Sequence, residues 1–227
     1  YLGEMKDLFM KQVAIPTVGA TIQGDLISPP EPFGLIIFSH GSGSSRFSPR
    51  NRFVAQVLNQ SGFATLLIDL LTEQEDANPQ NRFNIALLTD RLSDVTAWMF
   101  SGRAGNFSRI GYFGASTGAA SALRAAAQYK ERIFAIVSRG GRTDLAASEV
   151  MSVKAPTLLI AGGNDETIID INRTSLARMK CEKLLTIVPG ASHLFEEPGT
   201  LAQVADLANG WFKSHVTDLV VKDDFQG

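Results

Sequence analysis

Short continuous apolar runs alternate with segments of helical spacing along most of this chain, and that alternation narrows its possible folds more than any other feature. Gly34–Ser39, Ala64–Ile68, Arg109–Phe113, Phe134–Val137, Thr157–Ala161 and Leu184–Val188 each read as a buried strand. Between them, Asn51–Gln60 places Phe53, Val54, Val57 and Leu58 at helical spacing. Ile85–Phe100, the alanine-rich Ala119–Gln128, Ile171–Met179 and Leu201–Ser214 read as further helices. Strands that alternate with helices imply a parallel sheet with right-handed crossovers. Phe9–Ile15 and Ala20–Ile27 instead alternate in character around a Pro16–Gly19 turn, which predicts two antiparallel strands on one edge. The polar, acidic stretch Thr72–Gln80 reads as a surface loop. The expected class is therefore α/β: a mostly parallel central sheet, helices on both faces and an antiparallel N-terminal edge. There are no repeats and no dividing linker, so residues 1–227 read as a single domain.

Composition limits the function classes. Hydrophobic residues make up 44% of the chain, which fits an ordinary globule. A net charge of -2 gives no basic surface for nucleic acid or an anionic membrane. No apolar run approaches the roughly 20 residues of a membrane helix. Tyr1-Leu2-Gly3-Glu4 lacks the basic-then-apolar pattern of a signal peptide, although a start without methionine leaves a trimmed N-terminus open. Cys181 is the single cysteine, so no internal disulfide can form. It reads as an incidental thiol and favours a reducing, cytoplasmic setting.

Gly114-Ala115-Ser116-Thr117-Gly118 lies between the apolar run Ile110–Phe113 and the helix that begins near Ala119. Strand, sharp turn and helix, with serine at the turn, is the arrangement that lifts a hydroxyl above a sheet edge. Glycines two positions before and after the serine let the strand and helix backbones approach closely. The same residues would also serve as an ordinary small-residue turn with a serine helix cap.

A serine nucleophile needs a base, and the base needs a group to fix its tautomer. Ligands of open parallel sheets bind beyond the carboxyl ends of the strands. Ser116, Asp165 in Gly162-Gly163-Asn164-Asp165, and His193 in Gly190-Ala191-Ser192-His193 all follow strands on that edge. Their order along the chain suits a nucleophile, acid and base. Asp144 and Asp170 are alternative acids, with Arg142 a ready surface partner for Asp144. His40 reads as structural, and His215 as part of a polar tail. The expected oxyanion donors are the backbone N–H groups of Thr117 and of Ser42, the latter in the loop His40-Gly41-Ser42-Gly43. No lysine follows that loop in P-loop spacing. Arg46, Arg50, Arg52, Arg139 and Arg142 could grip a carboxylate or phosphate, but the simpler reading is a solvated face.

With these residues the chain resembles the α/β-hydrolase fold and, within it, the dienelactone-hydrolase-like group. The resemblance covers nearly the whole chain. It is carried by His40-Gly41-Ser42-Gly43-Ser44-Ser45, the elbow Gly114–Gly118, the Asp165 loop and Gly190-Ala191-Ser192-His193. Enzymes that open dienelactones are similar in layout but carry cysteine at the elbow and a glutamate near the oxyanion loop. Here the elbow residue is Ser116, and no glutamate occurs between Gly34 and Phe53. The resemblance thus implies hydrolysis of an ester, lactone or thioester rather than of dienelactone. Ser138–Ala155 is too short for a large helical cap, so a small or end-on substrate is expected. The implied roles are Ser116 as nucleophile, His193 as base and Asp165 as its orienting acid, with no metal or organic cofactor required. The expected partner is a small ester-type molecule, with neither nucleic acid nor membrane, and the oligomeric state stays open. Two other readings remain: a hydrolase of short peptides or aminoacyl compounds, and a non-catalytic binding protein on the same fold.

Overall fold

The computed structural model describes residues 8–216. The N-terminal residues read for a leader lie outside them. Strands β1 (Phe9–Thr17) and β2 (Ala20–Ser28) form the antiparallel edge. Gly19 makes the turn between them at φ 79, a left-handed conformation that glycine adopts without a steric penalty. β2 pairs antiparallel with β4 (Ala64–Ile68), which pairs parallel with β3 (Leu35–Ser39). Parallel pairing then continues through β5 (Ile110–Ala115), β6 (Ile133–Arg139), β7 (Thr157–Gly162) and β8 (Lys183–Val188). The strand order is β1-β2-β4-β3-β5-β6-β7-β8. Every residue of β3 to β7 is buried, as expected of parallel strands covered on both faces, whereas the edge strand β8 is largely accessible.

Side chains leave a strand alternately to its two faces, and the core divides accordingly. Ile37, Tyr112 and Ile136 pack with α3 (Ile85–Phe100) and α4 (Thr117–Tyr129). Phe38, Phe113 and Val137 pack with α1 (Pro49–Gln60) and α6 (Thr200–Val216). On the second face, Phe38 and Phe113 stack with centroids 4.8 Å apart, and the Phe212 ring meets Phe63 and Phe134 edge-on. Between β6 and β7 the regular structure is one short 3₁₀ turn, Thr143–Ala146.

Three local expectations change. The stretch read as a loop carries a short helix α2 (Glu73–Asp76) and a 3₁₀ turn at Pro79–Phe83. Thr72 and Glu75 form a reciprocal capping box, with Thr72 N–H donating to Glu75 Oε2 (2.9 Å) and Glu75 N–H to Thr72 Oγ1 (3.2 Å), and this outweighs the polar composition. Helix α5 spans Glu166–Arg178, starting earlier than its apolar spacing suggested, because Asp165 caps it. His215 belongs to α6 rather than to a tail; it is buried, with Nε2 3.2 Å from Glu182 Oε1. Among the described residues no helix is long and apolar enough to cross a membrane.

Packing at the elbow gives the first prediction. A Cβ added at Gly118 would lie 2.1 Å from the Ser39 carbonyl oxygen, a backbone atom that cannot move aside cheaply. Gly118→Ala should therefore lose about 3 kcal/mol of stability. Gly210, inside α6 with open space around it, should gain about 0.5–1 kcal/mol as alanine. Urea denaturation of the two variants tests the pair.

Candidate active site

The parallel strands deliver their C-terminal ends to one rim, where the loop after β3, the β5–α4 elbow, the β6 end, the β7–α5 loop and the β8–α6 loop converge. Ser116 occupies the elbow at φ 51 and ψ -119, which is uncommon for a residue with a side chain. Its backbone is held from three directions. Ser116 N–H donates to the Arg139 carbonyl (3.1 Å), and its own carbonyl accepts from Ala119 N–H (3.1 Å) and Arg142 N–H (3.0 Å). Both flanking glycines mark real close approaches, since a Cβ at Gly114 would lie 2.5 Å from Ala119 Cα. Gly41 lies against the serine itself, its ideal Cβ position being 3.1 Å from Ser116 Cβ.

Asp165 and His193 meet directly, with imidazole Nδ1 2.6 Å from Asp165 Oδ2. A carboxylate at that distance requires a proton on Nδ1, which leaves Nε2 as an acceptor in the neutral ring. The other carboxylate oxygen accepts from Ile168 N–H at 3.4 Å, so one side chain both caps α5 and orients the imidazole. The two loops are laced together by Asn164 N–H to the Ala191 carbonyl (2.9 Å) and Asn164 Nδ2 to the Gly190 carbonyl (2.9 Å). The imidazole side chain is 39% exposed and Asp165 only 14%, so the ring is open to a ligand while its acid is shielded. Asp144 binds Arg142 through two contacts of 2.9 and 2.7 Å, and Asp170 pairs with Arg173, so the alternative acids are engaged elsewhere.

Ser116 and His193 flank the Arg139–Gly140 corner. Arg139 holds the serine N–H, and a Cβ at Gly140 would lie 3.3 Å from His193 Cε1. The hydroxyl and imidazole are not hydrogen-bonded to each other. Thr117 opens α4, so its N–H has no acceptor within the helix. The Ser42 N–H differs from expectation. It donates to Thr117 Oγ1 at 2.8 Å and is not a free donor here, because the threonine hydroxyl reaches across from the elbow to the β3 loop.

Two supporting residues, Glu197 and Phe195, escaped the sequence reading. Glu197 Oε2 accepts from Ser192 N–H (3.0 Å) and pins the turn that carries His193; an acid four positions after the histidine was the available signal. Phe195 adopts φ 56 and buries its ring in the core, anchoring the same turn. His40 is buried, with Nδ1 2.8 Å from the Gly41 carbonyl and Nε2 accepting from Leu70 N–H (3.1 Å). Burial holds its pKa below the usual imidazole value, which suits a neutral structural ring. Cys181 is half-buried, and burial pushes its thiol pKa up, away from a reactive thiolate. Among the described residues no group of three or more His, Cys, Asp or Glu is arranged to hold a metal ion.

Comparison with known proteins agrees with this architecture. Two Mycobacterium tuberculosis proteins, each named "putative phosphoribosyl transferase", are 51% identical to the chain over 206 residues, which is 91% of this chain and 46% of theirs. The chain thus spans less than half the length of those relatives. A dienelactone hydrolase from Anabaena variabilis is 48% identical, superposes with a TM-score of 0.89, and the match covers 92% of this chain and 98% of that one. A Pyrococcus furiosus esterase shares the fold with a TM-score of 0.74 at 18% identity, covering 92% of each chain. Residues 22–214 match the dienelactone hydrolase family, and this chain is a member of that family, built on the α/β-hydrolase fold.

Proposed function

We propose that the protein is a serine hydrolase that cleaves the acyl bond of a small carboxylic ester, lactone or thioester through an acyl-enzyme. The observation that carries this reading is the 2.6 Å contact between His193 Nδ1 and Asp165 Oδ2, on the same rim as a serine in a strained elbow. Ser116 Oγ attacks the carbonyl carbon while its proton passes to His193 Nε2. The carbonyl π electrons move onto oxygen, and the tetrahedral oxyanion takes a hydrogen bond from Thr117 N–H at the positive end of α4. The intermediate collapses and expels the leaving group, which receives the proton from the imidazolium. A water then gives a proton to Nε2 and attacks the acyl carbon. The second tetrahedral intermediate collapses with cleavage of the bond to Ser116 Oγ, which takes the proton back from the imidazolium as the acid leaves. Asp165 stabilises the imidazolium in both halves without itself being protonated.

In this reading Ser42 N–H is the second oxyanion donor, once Thr117 Oγ1 releases it. Thr117 therefore supplies one donor from its backbone and holds the other in reserve through its side chain. Serine rather than cysteine at position 116 makes the oriented base essential, because a hydroxyl is far less acidic than a thiol. The transferase name of the mycobacterial relatives describes proteins of which this chain covers 46%. A cytoplasmic setting belongs to the same reading, supported by the lone free thiol of Cys181.

Ser116→Ala should abolish labelling by a fluorophosphonate and lower kcat on p-nitrophenyl acetate by at least about 10⁴-fold. A labelled alanine variant would disprove the nucleophile assignment. Asp165→Asn should cost about 10⁴-fold in kcat through the wrong imidazole tautomer. Faster turnover of aminoacyl anilides than of acetate esters would favour the peptidase reading instead. Thr117→Val should speed hydrogen exchange at the Ser42 amide and cost about 1 kcal/mol of stability, whereas an unchanged exchange rate would mean that the hydroxyl does not hold that loop.

A further inference from the structure

Arg139 is the last residue of β6, and its carbonyl is the acceptor that holds Ser116 N–H. Its side chain leaves the sheet on the same face as Val137, two residues earlier, toward α1 and α6. It is 8% exposed. Nε and Nη1 are both buried without a hydrogen-bond partner, and among the described residues no acid pairs with the guanidinium. Arg46 and Arg91 also carry a buried Nε without a hydrogen-bond partner, but each of those guanidinium groups is paired with an acid. Arg91, equally buried, reaches Thr17 Oγ1 at 2.8 Å and pairs with Glu75, and Arg142 pairs with Asp144.

The charged neighbour of Arg139 is a second cation. Arg50 sits in the first turn of α1, and together with burial it pulls the Arg139 pKa down to about 10, burial being the larger cause. Arg50 Nη1 donates to Glu196 Oε1 at 3.0 Å, but its Nε is buried and unpartnered. The Glu196 side chain is 63% exposed and draws Arg50 outward rather than satisfying Arg139. Two cations and one carboxylate leave a local excess of positive charge, with three buried nitrogens lacking acceptors. An apolar residue at position 139 would avoid this cost, since buried charge is destabilising unless it is matched. The N-terminus of a helix such as α1 adds a field that favours an anion. The cluster also borders the reaction rim, because Arg139–Gly140 lies between Ser116 and His193 and Glu196 follows His193 by three residues.

We propose that Arg139 and Arg50 form an anion subsite beside the elbow, which receives a carboxylate or phosphate group carried by the substrate. The acyl-bond substrate is then itself an acid: a half-ester of a dicarboxylic acid, or an ester bearing a phosphate. The substrate class rests on the hydrolase reading; binding of an anion at these two arginines does not.

The test has two arms. In thermal melts, succinate and inorganic phosphate are added singly to the wild type, Arg139→Met and Arg50→Gln. In kinetics, mono-p-nitrophenyl succinate and p-nitrophenyl 3-phosphonopropionate are compared with neutral p-nitrophenyl valerate. The wild type should be stabilised by at least one anion and prefer the matching charged ester in kcat/KM by at least about tenfold. A response to succinate alone identifies a carboxylate, and a response to phosphate and phosphonate alone identifies a phosphate. Arg139→Gln should cut the charged-to-neutral ratio at least about tenfold, mainly through KM, with Arg50→Gln moving the same way. Without anion, Arg139→Met should melt at or above the wild-type temperature, because an unmatched buried charge has been removed, and anions should no longer raise its Tm. The proposal falls if neither anion stabilises the wild type, or if folded Arg139→Gln keeps the wild-type ratio. It also falls if anions stabilise Arg139→Met as much as the wild type. Should the hydrolase reading itself fail, no ester is turned over and Ser116 stays unlabelled, and the melts alone decide the subsite.

Discussion

The backbone of Ser116 sets the geometry of the whole rim. At φ 51 the chain reverses within one residue, so β5 can end and α4 begin with no intervening loop. A non-glycine residue in such a conformation costs about 1–3 kcal/mol and persists only where its surroundings over-determine it. Three hydrogen bonds do so here, from β6, from α4 and from the chain after Gly141. Gly114 and Gly118 remove the atoms that would otherwise hold helix and strand apart. The consequence is chemical: the first helical residue, Thr117, keeps an uncommitted N–H that points where negative charge is best received.

Sheet order then decides which loops can meet that elbow. β7 and β8 are adjacent and parallel, so the loops that follow them emerge side by side. A Cβ at Gly162 would lie 2.4 Å from the Ala191 carbonyl, which measures how closely those loops are pressed together. That contact brings Asp165 onto His193, although they are 28 positions apart in the chain. Because Asp165 also caps α5, its rotamer is held by the helix as well as by the imidazole. The carboxylate can therefore orient the imidazole without depending on it for its own position.

Much of this was legible in the sequence, and the reasons differ by element. β3 to β7 are buried on both faces, so continuous apolar runs gave their positions directly, and β4 and α3 match the expected boundaries. The elbow was legible because strand, serine, glycine and helix signals coincide within a few residues. Asp165 and His193 followed from their placement after strands. What stayed hidden depends on contacts across the fold. The helix at Glu73–Asp76 is set by a reciprocal side-chain cap that outweighs a polar composition. The early start of α5 hinges on Asp165, whose glycine-rich context reads equally well as a turn. The engagement of Ser42 N–H by Thr117 Oγ1 joins residues 75 positions apart and leaves no local trace. Arg139 resembles Arg142 in sequence, yet one ends a buried strand and the other lies in the turn beyond it.

Departures from ordinary local rules are informative here where they gather at one edge of the sheet. Lys130 shares the elbow conformation, with φ 53 and ψ -125, but it lies at the opposite edge of the sheet, just before β6. Phe195, at φ 56, lets its ring enter the core while His193 stays at the surface. Arg139 shares the edge of Ser116 and Phe195, not that of Lys130. A strand buried on both faces would be better served by an apolar residue at its end, and Nε and Nη1 of the guanidinium find no acceptor among the described residues. Strained Ser116, strained Phe195 and unmatched Arg139 all lie along one stretch of the rim, around the corner that separates serine from histidine. A fold that satisfies Arg91 and Arg142 with nearby acids has the means to satisfy Arg139 as well. Leaving it unmatched at that corner is most economically understood as a preference for a charge that arrives with the ligand.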